Sequence, residues 1–148
     1  MKRISIERAV NCFILASYLG LVSIVYGNNI AKEWDKTLGG SGSDYAYSVI
    51  QTSDGGYLVV GYSLSSQSGD KTEDSRGDAD YWVVKISTNG VKEWDKTFGG
   101  SSYDNAFSVI ETSDGGYLVA GKSESPNSGD KTDDSRGGAD YWLSLIHI

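Results

Sequence analysis

The 148-residue chain carries 13 Lys+Arg against 20 Asp+Glu, a formal charge of −7, with 19 Gly and a single Pro, Cys and His. An acidic balance spread along the chain argues against a nucleic-acid partner, which needs a concentrated basic face. One cysteine, Cys12, excludes an internal disulfide, and the sole histidine, His147, stands at the far end of the chain.

Residues 1–27 open with Lys2, Arg3 and Arg8 and continue as an uncharged apolar run over residues 9–26. Val25 and Gly27 are small enough for the −3 and −1 positions of a cleavage site. This pattern predicts a secretory signal peptide, hence a secreted or cell-surface protein with no membrane segment after cleavage. The alternative is a retained anchor, since the run is near the shortest that spans a bilayer. Cleavage would remove Cys12 and leave 10 basic against 19 acidic residues.

The rest is one sixty-residue unit written twice. Residues 32–82 align with residues 92–142 without a gap, and 38 of 51 positions are identical. Such a period marks a repeat architecture, in which each unit buries its faces against its neighbours.

After a short linker, residues 32–38 alternate, with Glu33, Asp35 and Thr37 on one side and Trp34, Lys36 and Leu38 on the other; this predicts a half-exposed strand. Gly39-Gly40-Ser41 breaks it. Residues 45–52 form the next predicted strand, with small Ala46 and Ser48 on one face beside Ile50. Ser53-Asp54-Gly55-Gly56 is a hairpin turn, glycine supplying the positive φ. Residues 57–63 are apolar on both faces and predict a strand covered on both sides. Residues 65–78 form a polar, acidic loop; residues 81–87 are a further buried strand; Thr88-Asn89-Gly90 turns the chain into residues 91–98, the second copy of the Trp34 strand.

Four short antiparallel strands per period predict an all-β fold, a β-propeller blade with its small-residue strand innermost and its Trp-bearing strand outermost. A β-solenoid is the alternative. The division that follows is residues 1–27 leader, 28–44 linker and outer strand of a neighbouring blade, 45–98 a complete blade, and 99–143 a partial second blade, with further blades of the same chain expected. The elements Trp-Asp-Lys-Thr-Leu-Gly-Gly-Ser, Ser-Asp-Gly-Gly-Tyr-Leu-Val-x-Gly and Asp-Tyr-Trp-Val-Val-Lys-Ile resemble the propeller repeats of large secreted proteins of Bacteroidetes-type bacteria, and are similar to the shorter SBBP repeat. The resemblance implies a secreted binding or scaffold module and supplies no catalytic residues.

Asp44 and Asp104, at fixed spacing after Gly-Gly-Ser, read as backbone-capping turn carboxylates rather than ligand groups, as do Asp54 and Asp114 in the hairpins. The acidic loops offer Asp70, Asp74 and Asp80, and again Asp130, Asp134 and Asp140, as oxygen donors of the kind calcium takes; Lys71 and Arg76 among them favour a solvated loop with internal ion pairs. No other cofactor is suggested. Tyr81-Trp82 and Tyr141-Trp142 read as packing between blades rather than as a sugar platform, and Trp34 and Trp94 as the more exposed tryptophans. The functional expectation is therefore a non-enzymatic module for an extracellular glycan or protein. The alternative is part of a secreted polysaccharide-active enzyme whose active site lies in other blades. After Trp142 the two copies part, and residues 143–148 look like the translation of a transposon-end adaptor; residues 144–148 are expected to be non-native.

Overall fold

Seven strands follow one another with only turns and loops between them in the computed structural model, which describes residues 30–148. The expected leader, with Cys12, Val25 and Gly27, lies outside the described residues. Two units are distinguished, Met1–Glu33 and Trp34–Ile148; the few described residues of the first hold no regular secondary structure.

The strands are β1 (Asp44–Gln51), β2 (Tyr57–Ser63), β3 (Asp80–Ile86), β4 (Lys92–Phe98), β5 (Asp104–Glu111), β6 (Tyr117–Ser123) and β7 (Asp140–Ile146). They form two antiparallel meanders, a four-stranded sheet in the order β1-β2-β3-β4 and a three-stranded sheet in the order β5-β6-β7. Among the described residues there is no helix.

The turns form where glycine permits them. Gly55 and Gly90 take φ of 86° and 75°, a region that costs an L side chain strain. Gly55 N–H donates to Thr52 O at 2.8 Å and Gly90 N–H to Ser87 O at 3.0 Å, closing the two hairpins.

A β-bulge corrects the reading of the first strand. Ala46 pairs with Gly61 and Ser48 with Val60, so Tyr47 is an extra residue. Phe107 is its counterpart between Ala106 and Ser108. The extra residue switches faces, so Ala46 does not share a face with Ser48 and Ile50. The burial of the second copy follows the bulged register, with Ala106 and Val109 buried together while Ser108 and Ile110 are exposed.

The two sheets pack face to face. Leu58, Val60, Tyr81 and Val83 of the first meet Ala106, Val109, Tyr117, Val119 and Ile146 of the second in one core. The outer face of the first sheet carries a smaller cluster of Trp82, Val84 and Ile86, against which Leu38, Tyr57 and Val59 pack. As expected, β2 is apolar on both faces, and β3 is buried along its whole length.

The reading of residues 32–38 as a strand is overturned. Lys-Glu-Trp-Asp-Lys-Thr is β4 in the second copy, but the same six residues at positions 32–37 form no strand. The cause is the neighbour. Residues 92–98 have β3 beside them; residues 32–38 follow no third strand among the described residues, and alternation alone does not make a sheet. Residues 34–38 instead lie on the outer face of the first sheet, where Trp34 Nε1 donates to Thr88 O at 3.1 Å and its ring stands 6.1 Å from Tyr57.

Candidate functional site

An aromatic patch spans the first strands of both sheets. The bulges place it. Tyr47 and Phe107, the two extra residues, meet edge to face at 5.1 Å across the sheet–sheet boundary. Tyr62, on the neighbouring β2, stacks on Tyr45 at 4.8 Å and on Tyr47 at 5.8 Å. Tyr45, Tyr47 and Phe107 are exposed and Tyr62 is half-buried. Burial, and after it the Tyr47 hydroxyl, push the Tyr62 phenol above its ordinary value. The result is a partly exposed cluster of packed aromatic rings, three of which carry hydroxyls, a combination able to stack on a ligand and to hydrogen-bond with it.

This patch escaped the reading of the sequence, but a signal for it was present. Positions 45, 47 and 62 are among the 13 at which the copies differ; they are Tyr, Tyr and Tyr in the first, and Asn105, Phe107 and Lys122 in the second. A residue required by the repeat's own packing should recur; Tyr45 and Tyr62 do not recur as aromatics and so point away from packing, whereas the aromatic ring at position 47 recurs as Phe107.

The other aromatic residues divide. Tyr81 is fully buried between the sheets, its ring 4.7 Å from Trp142 and its hydroxyl donating to Trp142 O at 3.0 Å. Trp82 is buried on the outer face of the first sheet. Packing therefore accounts for Tyr81, Trp82 and Trp142, whereas Tyr141 is exposed. Trp34 is exposed as expected, but Trp94 packs against the core beside Tyr117.

The turn carboxylates do structural work. Asp44 Oδ2 accepts Gly40 N–H at 2.8 Å, and Asp104 Oδ2 accepts Gly100 N–H at 2.7 Å. Asp54 Oδ1 accepts from the Thr52 hydroxyl and Gly56 N–H, and its Oδ2 pairs with Lys85 at 2.9 Å. Asp114 repeats the first pair of bonds and meets His147 at 3.2 Å. The Thr112 hydroxyl, then His147, hold its carboxyl down to about 2.

The six loop carboxylates offered for calcium are placed apart, each engaged by a backbone N–H. Asp70 accepts Gly39 N–H and Asp130 accepts Gly99 N–H, both at 3.2 Å. Asp74 accepts Gln67 N–H at 3.1 Å and Asp134 accepts Asn127 N–H at 3.0 Å. Asp80 and Asp140 accept the N–H groups of Arg76 and Arg136, both at 2.7 Å, together with the hydroxyls of Ser75 and Ser135. Among the described residues no group of three or more His, Cys, Asp or Glu side chains converges.

The acidic loop instead carries a buried network around Asp95. That carboxylate accepts Thr72 N–H at 2.9 Å, the Thr72 hydroxyl at 2.9 Å and the Trp82 indole N–H at 3.0 Å, and pairs with Lys92 at 2.6 Å. Burial opposes its ionisation, but Lys92 and these donors outweigh it and hold the carboxyl below the usual range.

No family model matches the chain, and no curated protein matches it.

Proposed function

We propose that the chain is a non-enzymatic binding module of a secreted or cell-surface β-propeller repeat protein, and that the patch of Tyr45, Tyr47, Tyr62 and Phe107 holds an extracellular glycan. The propeller reading is supported by a four-stranded meander whose last strand, β4, leads through Gly99 and Gly100 to the first strand of the next sheet. Further blades would complete the ring. The resemblance to secreted bacterial propeller repeats agrees in fold and address.

One observation carries the functional part: the exposed Tyr45 and the half-buried Tyr62 stacked on it have no aromatic counterpart in the second copy, where Asn105 and Lys122 stand. Stacked phenol rings present the flat apolar face that one side of a sugar ring matches, and their hydroxyls meet its rim. The rings already pack on one another, so little side-chain entropy is lost on binding.

The second copy supplies a safe test, because it shows which residues the scaffold accepts. In the variant Tyr45→Asn/Tyr47→Phe/Tyr62→Lys the first copy takes the residues of the second. Glycan-array binding by the full chain should fall at least about tenfold, equivalent to roughly 1.4 kcal/mol, with the far-ultraviolet circular dichroism unchanged. Equal binding by both proteins, or binding by neither, would overturn the proposal.

A further inference from the structure

We infer that Asn89 is a site of spontaneous deamidation, and that Trp34 sets its rate by clamping the turn in which it lies. The inference stands on the Thr88-Asn89-Gly90 turn and the side chains that close it, and is independent of the aromatic patch.

An asparagine followed by glycine is open to attack by its own main chain. The Gly90 nitrogen bonds to the Asn89 side-chain carbon Cγ, the Cγ–Nδ2 bond breaks, and the leaving amino group takes the proton of the Gly90 amide and departs as ammonia. Water then opens the five-membered imide. Attack at one carbonyl leaves an aspartyl residue. Attack at the other leaves an isoaspartyl link, which lengthens the main chain by one methylene inside a closed turn. Glycine suits this chemistry because no Cβ crowds the attacking nitrogen. Asn89-Gly90 is the sole Asn-Gly pair of the chain; Asn105 precedes Ala106 and Asn127 precedes Ser128. Asn89 is exposed, so water reaches it.

In the folded chain the attacking nitrogen is occupied. Gly90 N–H donates to Ser87 O at 3.0 Å, and Ser87 N–H donates to Val91 O at 2.8 Å. Ser87 Oγ accepts Asn89 N–H at 3.3 Å and Val91 N–H at 3.2 Å. Ring closure requires the Gly90 nitrogen to leave Ser87 O and lose its proton. The turn must therefore open before Asn89 reacts, and the rate follows the free energy of that local opening.

Trp34 holds this turn shut from outside it. Its Nε1 donates to Thr88 O at 3.1 Å, on one side of Asn89. Its ring lies against Gly90 on the other side, where a Cβ would stand 2.8 Å from Trp34 Cε3 and 3.0 Å from Cδ2. Gly90 is buried while Thr88 and Asn89 are exposed. The ring is itself anchored on the first sheet, 6.1 Å from Tyr57. Asn89 is thus left open to water while the residues before and after it are pinned. A side chain 54 positions from Thr88 governs a reaction between two adjacent residues. The product adds a carboxylate to a chain whose formal charge is already −7.

The test follows Asn89 by peptide mass mapping in the full chain, in Trp34→Phe and in Trp34→Ala, each incubated in native buffer and in urea, with Asn127 as the internal reference. Trp34→Ala removes both the N–H bond and the ring, and should speed conversion of Asn89 to aspartyl and isoaspartyl forms in native buffer at least about fivefold. Trp34→Phe keeps a ring over Gly90 and loses only the donor, so its rate should fall between the other two. In urea all three proteins should convert Asn89 at one common, faster rate, because the local sequence alone then decides it. Equal native rates in the three proteins would overturn the inference. So would an unaltered chain that reacts as fast in native buffer as in urea, or an acceleration in Trp34→Ala that is as large at Asn127 as at Asn89.

Discussion

Tyr81 shows how much one side chain settles here. It fills the gap between the sheets and spends its only donor on Trp142 O. Tyr81→Phe keeps the ring and removes that hydrogen bond, so urea unfolding should show a loss of about 1 kcal/mol. Asp95 makes the corresponding pH statement. Its folded pKa is depressed, so its network is fully stabilising above the pKa of an unfolded aspartate, near ~3.9. That contribution fades as pH falls through the lower folded value. Asp95→Asn should cost roughly 1–3 kcal/mol at neutral pH and should flatten the acid limb of stability against pH. An unchanged acid limb would remove Asp95 from the account. These residue roles were unevenly legible. The capping of turns by Asp44, Asp54 and their twins follows from short carboxylates beside glycine. The bonds of Asp95 to Thr72 and Trp82 join parts of the chain that only the fold brings together.

Among the elements, the hairpins and the two apolar strands of each repeat were legible, because glycine and apolar runs act locally. The bulge was not. One extra residue leaves no mark in composition, yet it decides which face Ala46 joins. Its one trace is glycine on the opposing strand. A Cβ on Gly61 would come 1.7 Å from Tyr45 O, and one on Gly121 would come 2.0 Å from Asn105 O. The backbone has no rotamer with which to yield, so Gly61→Ala should cost at least the ~1–3 kcal/mol of ordinary overpacking. Thermal melting of Gly61→Ala beside Gly115→Ala separates two causes. At Gly115 φ is 84° and a Cβ would meet nothing within 4 Å, leaving only backbone strain of about 1–2 kcal/mol. Equal losses at the two positions would contradict the close approach at the bulge.

At the scale of the whole molecule, the central claim is that each sheet is completed by its neighbour. Six residues of identical sequence form a strand where β3 lies beside them, and none at positions 32–37, where no such strand lies beside them among the described residues. The alternation of Trp34, Lys36 and Leu38 shows which side chains would share a face, but not whether a partner is there. Amide hydrogen exchange on the full chain, followed separately in residues 34–38 and 94–98, tests this claim most directly. Exchange should be slow in residues 94–98, which pair with β3. It should be fast in residues 34–38, which form no strand. Equal protection of the two segments would contradict the account.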